Sequence, residues 1–261
     1  MKKILIVGAG AMGAAFSIPL LDNGHSVALT EPYNFKLLKK LNSKKKYHPS
    51  LNINLPKKLK INKFSSDILN RNWDLIVIAV SSIGIDLIGK NLSKIKNKSP
   101  ILVLTKGLKL DGRNLISMSS LLRKYNKNLN ISVLKGPCLA KELAKKVKSF
   151  TVVANKNINT AKKIGKLIST NYYQTEFSRD VNGVEFLSAI KNIYSMIIGA
   201  GQWHNTSSAL FRKSIDEMKY LANYFKGKKE TVYGLAGLGD LYVSAMGGRN
   251  SKMGEYLGKG Y

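Results

Sequence analysis

Residues 3–21 read KILIVGAGAMGAAFSIPLL, and the order of their parts decides the fold. Lys3 to Val7 is a short, β-branched run of the kind buried on both faces in a parallel sheet. Gly8-Ala9-Gly10-Ala11-Met12-Gly13 follows without a break and opens an apolar helix to about Leu21, stopped by Asn23-Gly24. A glycine fingerprint alone is a weak signal, but between a strand and a helix each glycine has a task. One makes the tight turn, one lets the backbone approach a pyrophosphate, and one packs helix on sheet. The helix N-terminus adds unpaired N–H groups for phosphates. Gly8, Gly10, Ala11, Met12 and Gly13 are therefore candidate dinucleotide contacts, the alternative being a glycine-rich turn that binds nothing. Pro19 is expected to kink the helix.

Downstream, the pattern repeats. A second strand ends at Thr30-Glu31, and Glu31 stands 18 residues after Gly13, where a carboxylate accepts bonds from an adenosine ribose. A plain surface glutamate is the alternative. Residues 36–63, rich in lysine and asparagine with Pro49 and Pro56, read as an irregular excursion. Buried strands return at 74–80, 101–105 and 131–134, and Ser81, Lys106 and Gly136 fall at their carboxyl ends, where ligands of doubly wound sheets lie. Lys106 also reads as an ordinary loop lysine. Strands at 150–154 and 172–176 flank a helix at 158–169. The expected architecture is α/β: a Rossmann-like, doubly wound parallel sheet in residues 1–180, followed by an all-helical domain in residues 181–261.

The helical part opens with GVEFLSAIKNIYSMIIGAG, residues 183–201, apolar enough to be buried on most sides. At 100° per residue Glu185, Ser188, Lys191, Asn192 and Ser195 share a sector of roughly 120°. A lysine on that stripe faces a wet cleft or is partly desolvated, which lowers its pKa toward the range useful for proton transfer; snorkelling to the surface is the alternative. Two glycine-rich clusters follow. GLAGLGDL at 234–241 is too apolar for a surface linker yet carries Asp240, and Gly247-Gly248-Arg249-Asn250 offers a guanidinium and an amide that suit a phosphate.

The chain has 43 lysines and arginines against 15 acidic residues, a net charge of +28 spread from Lys2 to Lys259. Spread this evenly, the charge reads as a compositional habit that attracts phosphorylated ligands, so no nucleic-acid partner is expected. One cysteine, Cys138, excludes an internal disulfide framework and fits a reducing cytoplasm. Three scattered histidines form no metal-site pattern, so no metal is expected. The N-terminus has the lysines and apolar run of a signal peptide, but its glycines and the strand pattern that follows argue against export, and no run is long enough to span a membrane.

Taken together, GAGAMG at 8–13, TKG at 105–107, GPCLAKELA at 136–144, GVEFLSAIKN at 183–192, GLAGLGDL at 234–241 and Arg249-Asn250 resemble the NAD(P)-dependent glycerol-3-phosphate dehydrogenases, in family order. The resemblance implies interconversion of dihydroxyacetone phosphate and sn-glycerol 3-phosphate, supplying glycerophospholipid synthesis. It implies catalytic roles for Lys191, Lys106 and Asp240. Substrate contacts fall on Lys106, Gly136, Cys138, Lys191, Asn192, Asp240, Gly248, Arg249 and Asn250. Cofactor contacts fall on the glycine loop, Glu31, Ser81, Lys106, Ala140 and Arg249. The cofactor is NAD or NADP, with NAD favoured by the Glu31 carboxylate, and a homodimer is the expected assembly state to test. Cys138 stands where serine or threonine is usual and Gly248 where serine is usual. The family continues past the position of Tyr261, so the helical domain is expected to be incomplete. The rival readings are another NAD(P)-dependent 2-keto- or 3-hydroxy-acid reductase, and an inactive basic binding protein on the same fold.

Overall fold

The computed structural model describes residues 1–95 and 98–261. The chain begins with β1 (Lys3–Val7), α1 (Ala11–Asp22), β2 (Ser26–Glu31), α2 (Phe35–Leu41) and a small hairpin of β3 (Tyr47–His48) and β4 (Ile53–Asn54). It continues through β5 (Lys60–Lys63), α3 (Ser66–Asn70), β6 (Leu75–Ile78), α4 (Ile85–Leu92) and β7 (Ile101–Val103). A second hairpin, β8 (Leu108–Asp111) and β9 (Asn114–Ser117), precedes α5 (Met118–Tyr125), β10 (Ile131–Lys135) and α6 (Ala140–Ala144). Then come β11 (Ser149–Ala154), α7 (Ile158–Ile168) and β12 (Tyr173–Ser178). The rest is helical: α8 (Val181–Ala200), α9 (His204–Tyr224), α10 (Glu230–Tyr233), α11 (Asp240–Ala245) and α12 (Arg249–Gly258).

Eight strands form one sheet in the order β12-β11-β10-β7-β6-β1-β2-β5. β1 lies between β2 and β6, parallel to both, and Ile4 to Val7 have no exposed surface. Alternation sends Ile4 and Ile6 to one face, in a cluster with Phe16 and Leu20 of α1, and Leu5 and Val7 to the other, with Ile88 of α4 and Leu122 of α5. β10 and β11 pair antiparallel, so the expected parallel sheet is mixed at that junction. The reason is the connection: residues 136–148 leave β10 at its carboxyl end, place α6 against α1 and enter β11 from that same end, without a crossover. α1 runs through Pro19 to Asp22, at the cost of one helical N–H.

The stretch 36–63 is not the irregular excursion its composition suggests. It holds α2, capped by the Asn34 side chain on the Leu37 amide, the β3–β4 hairpin and the parallel edge strand β5. α8 starts three residues after β12 ends, its N-terminus capped by Asp180, which accepts bonds from the amides of Gly183 and Lys228 and the Thr231 hydroxyl. Val181 and Val184 pack into the sheet's second face, while Phe186, Leu187, Ile190, Tyr194 and Ile198 build a helical core with Met218 of α9 and Leu241 of α11. One stripe of α8, with Asn192, Ile193 and Ile197, stays exposed, so the helix is less enclosed than its apolar sequence implies. α12 crosses α8 closely: a Cβ on Gly254 would stand 1.9 Å from the Met196 carbonyl oxygen. No helix among the described residues is long and apolar enough to cross a membrane.

Candidate active site

The loop after β1 is held from three sides. Gly8 takes φ +110°, and a Cβ there would meet the Ala79 backbone at 2.6 Å, so only glycine allows the turn. Its amide donates to the Thr30 carbonyl at 2.8 Å, and the next amide, of Ala9, donates to Glu31 Oε2 at 2.7 Å. His48 Nε2 donates to the Ala9 carbonyl at 2.9 Å, while Nδ1 accepts from the Leu51 amide at 3.3 Å, which fixes a neutral tautomer. Nothing lies within 4 Å of a Cβ built on Gly10, and no side chain caps α1. That leaves open space over a helix N-terminus, which fits the pyrophosphate of a dinucleotide.

Glu31 sits at the end of β2 but is turned inward and only 6% exposed. Besides Ala9, its carboxylate accepts the amides of Tyr33 at 2.9 Å and Asn34 at 3.1 Å. These bonds brace the glycine loop from the position where the spacing expects a ribose acceptor. Ser81 is exposed beyond β6, ahead of a short 3-10 turn over Ser82–Gly84.

The chemistry gathers around Asp240. GLAGLGDL forms a single π-helical turn, Leu235–Gly239, that delivers Asp240 as the first residue of α11 at 2% exposure. Such turns are rare and are frequent at functional sites. Asp240 Oδ1 accepts from Lys191 Nζ at 2.7 Å, and Oδ2 accepts from Lys106 Nζ at 2.5 Å and Ser188 Oγ at 3.0 Å. Lys191 also donates to Ser244 Oγ, whose own proton goes to the Asp240 carbonyl. Glu185, Ser188, Lys191 and Ser195 of the α8 stripe are thus interior, and Asn192 is exposed beside them. Burial pushes the Lys191 pKa below the ordinary lysine value, the Lys106 cation adds to the fall, and the Asp240 carboxylate opposes it.

Beside this cluster is a cavity of about 210 Å³ lined by Lys191, Asn192, Ser244, Gly248, Arg249 and Asn250. Gly248 caps α12 without a side-chain bond, so the N-terminal amides of a ten-residue helix face the same region as Arg249 and Asn250. A larger groove of about 470 Å³, with Ile198, Phe211 and Tyr242 in its lining, holds none of the candidate residues. Gly136 turns the chain at φ +123° beyond β10, and Ala140 packs with α6 against the first core cluster. Cys138, expected as a substrate contact, also packs against that cluster and is not among the residues lining the cavity. Burial pushes its thiol up to about 12, so it stays protonated. Among the described residues no group of three His, Cys, Asp or Glu side chains is placed to hold a metal ion. Two residues escaped the sequence reading: His48, a lone histidine 39 positions from its partner, and Lys135, discussed below.

A family model of the NAD-dependent glycerol-3-phosphate dehydrogenase N-terminus matches residues 3–161, and one of its C-terminus matches residues 180–261. The NADP(+)-dependent glycerol-3-phosphate dehydrogenase of Archaeoglobus fulgidus is 30% identical over 273 residues, covering 98% of this chain and 80% of the relative. The glycerol-3-phosphate dehydrogenase [NAD(P)+] of Clostridium botulinum is 31% identical over 277 residues, covering 100% of this chain and 80% of the relative. The crystal structure of the Coxiella burnetii glycerol-3-phosphate dehydrogenase superposes with a TM-score of 0.87 at 27% identity, covering 100% of this chain and 81% of that one. Matches to both halves, at this coverage, favour this family over the other reductases, and the chain belongs to the NAD-dependent glycerol-3-phosphate dehydrogenases.

Proposed function

We propose that the chain interconverts dihydroxyacetone phosphate and sn-glycerol 3-phosphate with a nicotinamide dinucleotide, the product feeding glycerophospholipid synthesis. The observation that supports this best is one buried carboxylate, Asp240, clamping Lys191 and Lys106 beside a cavity edged by Arg249 and Asn250. When bound, the nicotinamide supplies or takes the hydride at substrate C2. Lys191 delivers a proton to the carbonyl oxygen in reduction and takes it from the hydroxyl in oxidation. An ammonium beside a developing alkoxide also stabilises its charge. Asp240 holds both ammonium groups in place, and Lys106 keeps a second positive charge near the reacting oxygen. Arg249, Asn250 and the N-terminus of α12 grip the phosphate, with Asn192 and Gly248 on the cavity wall.

For the dinucleotide, Gly8, Gly10, Ala11, Met12 and Gly13 form the phosphate cradle, with Ser81 and Ala140 at its margins. Glu31 acts through Ala9, so its carboxylate is a poor basis for preferring NAD. The single cysteine supports a reducing compartment such as the cytoplasm.

The test is oxidation of NADH and of NADPH by the purified chain with dihydroxyacetone phosphate, set against unphosphorylated dihydroxyacetone. The reading expects turnover with the phosphorylated ketone and a kcat/KM at least about 100-fold lower without the phosphate, since remote binding energy positions the carbonyl. Equal rates with both ketones would overturn it.

A further inference from the structure

Lys135 ends β10 with 1% of its surface exposed, deeper than Lys191. A buried ammonium is strongly unfavourable unless its donors are paired. Lys135 Nζ donates to three successive backbone carbonyls, of Val103 at 3.3 Å, Leu104 at 3.2 Å and Thr105 at 2.5 Å. These are the last residue of β7 and the two that follow it, and the next residue is Lys106. Thr105 is itself tied onward, its hydroxyl donating to the Val80 carbonyl at 2.7 Å, one residue before Ser81. Two side chains, Lys135 and Thr105, therefore link the carboxyl ends of β10, β7 and β6, from which Gly136, Lys106 and Ser81 emerge.

The charge has support as well as partners. Burial lowers the Lys135 pKa to about 8, with Glu185 of α8 opposing the fall, Lys106 adding to it and Asp240 opposing it. At neutral pH the group stays mostly an ammonium with three protons to donate. Glu185 is held by Ser117 Oγ at 2.7 Å, by the Ser119 amide at 3.1 Å and by the Ser119 hydroxyl. A methionine would fill the same volume without gathering three carbonyls, so packing alone does not account for a lysine here.

We propose that Lys135 is a positioning residue that fixes the turn of residues 103–105 and so sets Lys106 on Asp240. It touches neither substrate nor cofactor, and its kinetic consequence rests on the dehydrogenase reading above. Lys135→Met is compared with the wild type in two measurements. Amide hydrogen exchange needs no substrate: peptides covering 104–108 are expected to exchange at least about fivefold faster, with those covering 3–7 unchanged, as local opening predicts. Steady-state reduction of dihydroxyacetone phosphate is expected to lose about tenfold or more in kcat, because small misplacements of a reacting group cost that much, while KM for NADH stays within about twofold. Unchanged exchange at 104–108, or a kcat within about twofold of wild type, would overturn the proposal. If the wild type does not turn over dihydroxyacetone phosphate, the dehydrogenase reading fails instead, and the exchange data alone decide whether Lys135 holds the turn. Should the methionine variant not fold, Lys135→Gln, which pairs fewer carbonyls, carries the same expectations.

Discussion

Asp240 accepts from two lysines and a serine at 2–3% exposure, which makes it the electrostatic centre of the site. Lys191 is depressed by burial and by the Lys106 cation, so the protonated donor is lost at a lower pH than for a free lysine. Replacing Lys106 by methionine removes one cause and leaves Lys191 as the one lysine on Asp240, beside the Ser188 hydroxyl. The Lys191 pKa then rises, and the alkaline limb of kcat/KM for ketone reduction should move to higher pH; a pH–rate profile checks this. Glu31 leads to a different expectation. Because its carboxylate holds the Ala9 amide, Glu31→Gln should loosen the glycine loop and weaken NADH and NADPH together, by about tenfold. Fluorescence titration with both cofactors measures it, and a change confined to one of them would restore the ribose role. Lys191 was legible because helical spacing puts Glu185, Ser188 and Lys191 on one stripe. His48 and Lys135 were not, since their partners are backbone atoms 39 and about 30 positions away and leave no local pattern.

At the scale of elements, the phosphate grip depends on where α12 lies. Its approach to α8 requires Gly254 against the Met196 carbonyl, so Gly254→Val must push the helix and its N-terminal Arg249 outward. Overpacking of this kind costs about 1–3 kcal/mol, and the melting temperature should fall by roughly 3–10 °C. KM for dihydroxyacetone phosphate should rise about tenfold with NADH affinity unchanged, a split that steady-state kinetics and calorimetry resolve. The strand–glycine–helix order of residues 3–21 was legible in the sequence and is met by β1, the turn at Gly8 and α1. The β8–β9 hairpin was missed although Asp111-Gly112 is a strong turn signal. β5 was hidden for a physical reason: at the sheet edge, KINK buries little and needs no apolar run. Nor does an apolar strand record its direction, so the antiparallel β10–β11 pair was not legible.

Across the whole molecule, 43 basic residues against 15 acidic ones place a phosphorylated substrate in a positive field wherever it approaches. Screening over a Debye length of about 10 Å at 0.1 M salt should weaken that attraction. Between about 20 and 300 mM KCl, kcat/KM for dihydroxyacetone phosphate should fall severalfold with kcat nearly constant. A flat profile would confine the effect to Arg249 and its neighbours. The sheet brings Lys106 from one half of the chain and the helices bring Lys191 and Asp240 from the other, 134 and 49 positions apart in their pairings with Asp240. Neither half holds the site alone. The most direct measurement is therefore turnover of dihydroxyacetone phosphate by Lys191→Met beside the wild type, with NADH affinity measured by calorimetry on both. Proton donation by Lys191 requires kcat to fall by about 10²–10⁴-fold while NADH binding holds; a methionine variant that retains full turnover would contradict it.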